Sequence, residues 1–169
     1  LLSLDVGLIV LGSGEELMQK ALQEAVRNHS GRVGLKIGFD DQLAHRIMAG
    51  ADIFLAPSRY EPCGLTQMYA LKYGTVPVAR ATGGLEDTGG AFDPEKGSGT
   101  GFKFGSYEPE AFLAAVQQAV EIFQDSKLWG RIMANSMKED FSWDRSGRKY
   151  RELYRSVIGK KVSLQIHGG

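Results

Sequence analysis

Apolar positions change period from segment to segment. VGLIVL (6–11) is an unbroken apolar run, the pattern of a strand covered on both faces. Leu17, Met18, Ala21, Leu22, Ala25 and Val26 follow at helical spacing, after a capping-box spacing of Ser13 and Glu16. His29-Ser30-Gly31 ends that helix, and RVGLKIGF (32–39) reads as a second strand. Asp40 is the expected N-cap of a helix over about 41–49 that Gly50 closes. DIFLAP (52–57) is a third strand, SRYEPCGL (58–65) a loop, TQMYALKYG (66–74) a helix and TVPVA (75–79) a fourth strand. Strands alternating with helices predict an α/β, Rossmann-like, doubly wound parallel sheet with helices on both faces.

Glycine concentrates from Thr82 to Gly105, and GSGTG (97–101) is expected to be a mobile loop. C-terminal helices follow, with three apolar stripes. Phe112, Leu113, Val116, Val120 and Phe123 form one; Leu128, Trp129, Ile132, Met133 and Met137 a second; Tyr150, Leu153, Tyr154, Val157 and Ile158 a third. All three read as core, and Tyr107 and Trp143 as packing residues. VSLQIHGG (162–169) carries no such signal and is expected to be a frayed tail.

At ~150 residues per domain, 169 residues make one domain. Lys+Arg and Asp+Glu both number 20, so nothing attracts nucleic acid or anionic lipid generally. The longest apolar runs fall short of the ~20 residues of a membrane helix. One cysteine forbids an internal disulfide and a cysteine metal cluster.

Ligands of open parallel sheets sit beyond the strand carboxyl ends, near helix N-termini. The segment after strand 52–57 has that place. Pro62 stiffens it, Gly64 admits close backbone approach, and a helix starts near Gly64-Leu65-Thr66. The first amides of that helix lack intrahelical partners and suit a phosphate. Thr66 adds a hydroxyl, and Glu61 is a carboxylate able to accept from sugar hydroxyls. One loop would hold both halves of a sugar nucleotide, although a purely structural turn fits the same residues.

PSRYEPCGLTQMYALKYGTVPV (57–78), with ATGGLEDT (81–88), IGFDDQLAHRIMAGADIFLAPSR (37–59) and DFSWDRS (140–146), closely resembles the bacterial glycogen synthases and plant starch synthases. The resemblance covers roughly residues 5–158. It implies the C-terminal, donor-binding half of a glycosyltransferase-B fold. It also implies transfer of glucose from ADP-glucose to an α-1,4-glucan with retention, without metal or covalent cofactor. By the same resemblance Glu61 contacts the donor glucose at the catalytic centre without being the nucleophile. The amides of Cys63, Gly64 and Leu65 lie near glucose and diphosphate, Thr66 near the phosphates, and Phe39 stacks on adenine. Many bacterial members have tyrosine there; Phe39 keeps the stacking face and loses the hydroxyl.

The family's N-terminal acceptor domain, its phosphate-gripping Arg/Lys pair and the first strand of the donor domain have no counterpart in the sequence. The expectation is therefore a donor domain over 1–158 with a tail over 159–169, nearly inactive alone, with exposed sheet edges that would let copies associate. Glucan would be met mainly through the other domain. The implied compartment is the bacterial cytoplasm or the plastid stroma. Gly89-Gly90 stand where the family commonly has β-branched residues, which puts strand structure at 86–92 in question. Two further readings stay open: a related retaining transferase with another sugar nucleotide, and a non-catalytic nucleotide- or glucan-binding module. Gly12-Ser13-Gly14 reads as a strand–helix turn, Cys63 as a small residue supplying its amide, His45 as packed or capping, and the pairs Asp40-Asp41 and Glu86-Asp87 as caps and turns. The basic residues from Arg145 to Lys161 read as a solvated helix face.

Overall fold

The computed structural model describes residues 1–166. The chain divides into two compact units, Leu1–Lys138 and Glu139–Gly169. In the first, β1 (Leu8–Gly12), α1 (Glu16–Asn28) and β2 (Val33–Ile37) come first, then α2 (Asp41–Gly50), β3 (Ile53–Ala56), α3 (Leu65–Tyr73), β4 (Val76–Arg80) and α4 (Gly83–Asp87). β5 (Phe102–Phe104), α5 (Pro109–Phe123) and α6 (Ser126–Lys138) complete it. The alternating pattern thus yields a parallel α/β architecture, as the apolar runs require. Its strands form two sheets: β1 pairs with β2 from Leu8↔Val33 to Gly12↔Ile37, and β3, β4 and β5 pair in that order.

The core lies on the three-stranded sheet. Val76 and Val78 of β4 face Val116 of α5 and Trp129 and Ile132 of α6, while Ala79, on the opposite pleat, packs with Ala56 and Leu85. Helices therefore cover both faces of this sheet. Leu71 and Ile132 have no exposed surface, and burying each stabilises the fold by roughly 1.5–3 kcal/mol. Asp125 caps α6 by accepting from the Lys127 and Leu128 amides at 2.9 and 3.1 Å, and Pro109 stands in the first turn of α5.

Several local expectations are corrected. The Ser13–Glu16 capping box does not form: α1 begins two residues too late for it, with Glu15 at the N-cap and no side-chain cap bond. Asp40 does cap α2, accepting from the Leu43 amide at 2.9 Å, but Gly50 is the last helical residue and extended Ala51 follows it. GSGTG is a bonded loop. Asp93 N–H donates to Ser98 O, the Asn135 side chain donates to Gly97 O and Gly99 O, and Ser136 Oγ donates to the carbonyl of buried Thr100. α6 holds it down, a tertiary reason that glycine content hides. Residues 83–87 are helical, and β5 sits in a stretch with only two apolar residues to announce it.

The second unit is α7 (Trp143–Ile166) with its approach. Its stripe is not core: Tyr150, Leu153, Tyr154, Val157 and Ile158 are exposed, as is Trp143, and the described part of this unit is one helix without a second layer of its own. The helix runs into the stretch expected as a tail, whose last residues, 167–169, lie outside the described residues. Among the described residues no helix is long and apolar enough to cross a membrane.

Candidate functional site

The β3–α3 loop is built on backbone constraints. Gly64, the residue before α3, has φ +74°, a left-handed conformation that side chains disfavour. A Cβ there would lie 2.8 Å from both Gly84 O and Thr88 Oγ1. No side chain caps the first turn of α3; Glu61 instead turns back on the two loop amides that precede the helix. Its Oε1 accepts from the Cys63 amide at 3.3 Å and the Gly64 amide at 3.1 Å. The carboxylate charge faces the positive end of α3. The Glu61 carbonyl accepts from the Gly84 amide at 2.7 Å.

The second wall of the loop is α4. A Cβ on Gly84 would lie 2.1 Å from the Cys63 carbonyl carbon, so only glycine lets the two backbones touch. Gln67, 1% exposed, donates from Nε2 to Leu85 O at 3.1 Å and to Thr88 Oγ1 at 2.8 Å, and Thr88 Oγ1 donates to Gly84 O. Gln67 also lines a small open pocket with Thr100 and Lys103. Gln67, Gly84 and Thr88 fix the loop's shape. The EPCGLTQ and ATGGLEDT strings contain them, but only the fold shows that the strings touch.

The sequence-derived residues fall into two groups. Glu61, Cys63, Gly64, Leu65 and Thr66 come together at the start of α3. Gly64 is buried behind them, while Cys63, Leu65 and Thr66 are exposed where a ligand would meet them. Phe39 stands apart at the carboxyl end of β2, 92% exposed, on the turn between Gly38 and the Asp40 cap. His45 packs as expected: its ring lies 5.2 Å from that of Tyr69, and Nδ1 is 3.1 Å from Tyr73 Oη.

A half-buried carboxylate beside unpaired helix amides, beyond the carboxyl end of a parallel strand, is the ligand position of Rossmann-type α/β domains. The family model for glycosyl transferases group 1 matches residues 2–132, and the chain belongs to that family. It is similar to the glycogen synthase of Anaeromyxobacter sp. (strain K), 52% identical over 157 residues that cover 93% of this chain and 33% of that protein. The glycogen synthase of Desulfitobacterium hafniense is 46% identical over 158 residues, covering 93% and 34%. The chain thus spans about a third of the length of the curated relatives it matches. Among solved structures it is similar to the catalytic domain of starch synthase IV from Arabidopsis thaliana bound to ADP and acarbose. That match has a TM-score of 0.77 and 29% identity, and covers 91% of this chain and 38% of that one.

Proposed function

We propose that the chain forms the donor-binding part of a glycogen or starch synthase, which transfers glucose from ADP-glucose to an α-1,4-glucan with retention. The observation that carries this reading is Glu61 held by one carboxylate oxygen on the Cys63 and Gly64 amides, at the start of a helix whose next amides lack intrahelical acceptors. The similarity to glycogen synthases, and to a starch synthase domain bound to ADP and acarbose, supports it.

In this reading the second oxygen of Glu61 accepts from glucose hydroxyls. The Leu65 amide and the Thr66 amide and hydroxyl meet the diphosphate, and Phe39 offers its ring to adenine. As the bond from glucose C1 to the phosphate oxygen breaks, the leaving ADP gains charge, which the helix start stabilises. The acceptor 4-hydroxyl oxygen bonds C1 from the same face, and its proton passes to the leaving phosphate. Glu61, fixed by its two amide bonds, orients the sugar. We take residues 1–158 as the donor domain, in which one parallel strand between β1 and β3 would join the two sheets.

Glu61→Gln keeps an acceptor oxygen for both amides and removes the charge. In the full enzyme it should lower kcat about a hundredfold or more with ADP affinity little changed. Calorimetric titration checks the donor assignment. ADP binding without maltooligosaccharide binding supports it; strong maltooligosaccharide binding without ADP binding overturns it.

A further inference from the structure

Arg80 ends β4, and its guanidinium reaches three backbone carbonyls. Nε donates to Ser58 O at 2.9 Å, one terminal nitrogen donates to Gly105 O at 3.2 Å, and the other to Arg59 O. Its Cζ stands 5.5 Å from the centre of the Tyr107 ring. Ser58 and Arg59 are the residues through which the chain leaves β3 and approaches Glu61. Gly105 and Tyr107 belong to the β5–α5 connection. One planar cation therefore ties the entry of the Glu61 loop to a neighbouring loop, while the Gly84 amide holds its exit at the Glu61 carbonyl. Lysine, with a single nitrogen, cannot span three acceptors set in a plane.

We propose that Arg80 is a positioning residue for Glu61: it fixes residues 58–60 so that the carboxylate arrives on the Cys63 and Gly64 amides with its second oxygen free for ligand. This rests on the reading of that loop as the donor site. Arg80 need not touch the donor. It acts by removing the freedom of the segment that carries Glu61, the contribution lost when a reacting or binding group is misplaced by about an ångström.

The test compares the full chain with Arg80→Lys and Arg80→Ala, reading ADP affinity by calorimetry and amide hydrogen exchange by residue. ADP affinity should fall about ten- to a hundredfold in both variants, unlike in Glu61→Gln, because the freed loop also displaces the amides at the start of α3 that meet the diphosphate. Exchange should quicken at Cys63 and Gly64 while the Val78 and Phe102 amides stay protected. Millimolar guanidinium ion, but not the same concentration of sodium chloride, should restore part of the affinity of Arg80→Ala. Unchanged affinity with unchanged exchange at Cys63 and Gly64 would overturn the proposal, as would exchange that quickens equally at Val78 and Phe102. If Arg80→Ala does not fold, Arg80→Lys carries the same comparison. If the unaltered chain binds no ADP, the donor reading fails, and exchange at Cys63 and Gly64 alone decides the role of Arg80.

Discussion

The β1–α1–β2 and β3–α3–β4 units have the same parallel pairing and similar apolar runs, yet they meet solvent differently. Ile9, Leu17 and Met18 in the first are 60%, 78% and 63% exposed, and α1 buries no residue. Ala70, Leu71, Val76 and Val78 in the second are wholly inside. The difference is not in the runs. The second unit lies in a sheet that α5 and α6 cover on one face and Leu85 of α4 on the other, and among the described residues neither core cluster includes a residue of β1, α1 or β2. Apolar patterning specifies which segments become strands and helices; burial depends on what the rest of the chain brings to them. The candidate site belongs to the buried unit. In the proposed donor site Glu61 needs a rigid floor, and Gln67, Gly84 and Thr88 supply it.

The largest test of this contrast is a pair of truncations. Leu71→Ala should cost about 2–5 kcal/mol in urea unfolding, the range for emptying a packed interior site. Leu17→Ala, on an open helix face, should change stability by less than about 0.5 kcal/mol. Equal losses would mean that the α1 stripe is covered in solution, and the contrast between the units would disappear.

Legibility followed the same divide. Leu8–Gly12, Val33–Ile37, Ile53–Ala56 and Val76–Arg80 were readable as strands because local period and β-branched content suffice. The start of α3 was readable too, since EPCGLTQ places a carboxylate, a glycine and a hydroxyl around one helix terminus. β5 was not, because Phe102 and Phe104 alternate over three residues inside a glycine-rich stretch and gain their meaning only from pairing with Val78 and Arg80. The order of GSGTG comes from Asn135 and Ser136, more than thirty residues on. The capture of the Cys63 and Gly64 amides by Glu61 itself, and the three-carbonyl grip of Arg80, depend on loop geometry that no spacing encodes.

Glycines sharpen the comparison at intermediate size. In the buried unit, Gly84→Ala forces a Cβ into the Cys63 backbone and should cost about 1–3 kcal/mol while weakening ADP binding. In the open unit a Cβ on Gly34 of β2 would meet only Ile9 Cγ1 at 3.8 Å, an ordinary contact. Gly34→Ala should therefore stabilise by about 0.4–1 kcal/mol, through the lost freedom of the unfolded chain. Opposite signs, measured by urea unfolding, separate a glycine required by contact from one that is merely tolerated. A destabilising Gly34→Ala would show a partner packed on β2.

The smallest effect concerns the turn at 93–98. Asp93 is held below the ordinary carboxylate range, chiefly by its side-chain bond with Lys96, with Oδ2 2.7 Å from Nζ. Amide bonds to Oδ1 from Glu95 and Lys96, at 3.0 and 3.1 Å, add to this. A carboxyl with a lowered folded-state pKa binds its proton less readily folded than unfolded. Its contribution is therefore complete above the unfolded value of about 3.8, and is lost as pH falls through the lower folded value. The group is exposed, so added salt weakens the pairing. Between pH 4 and 8 protection of the Glu95, Lys96 and Gly97 amides should stay flat once intrinsic exchange is removed, then decline toward pH 2. Asp93→Asn should flatten that decline. The first unit's His29–Arg32 turn, closed by Arg32 N–H on His29 O at 3.0 Å, has no carboxylate and should hold its protection across the range. A parallel acid loss in both turns, unaffected by Asp93→Asn, would trace the decline to global unfolding rather than to this one carboxylate.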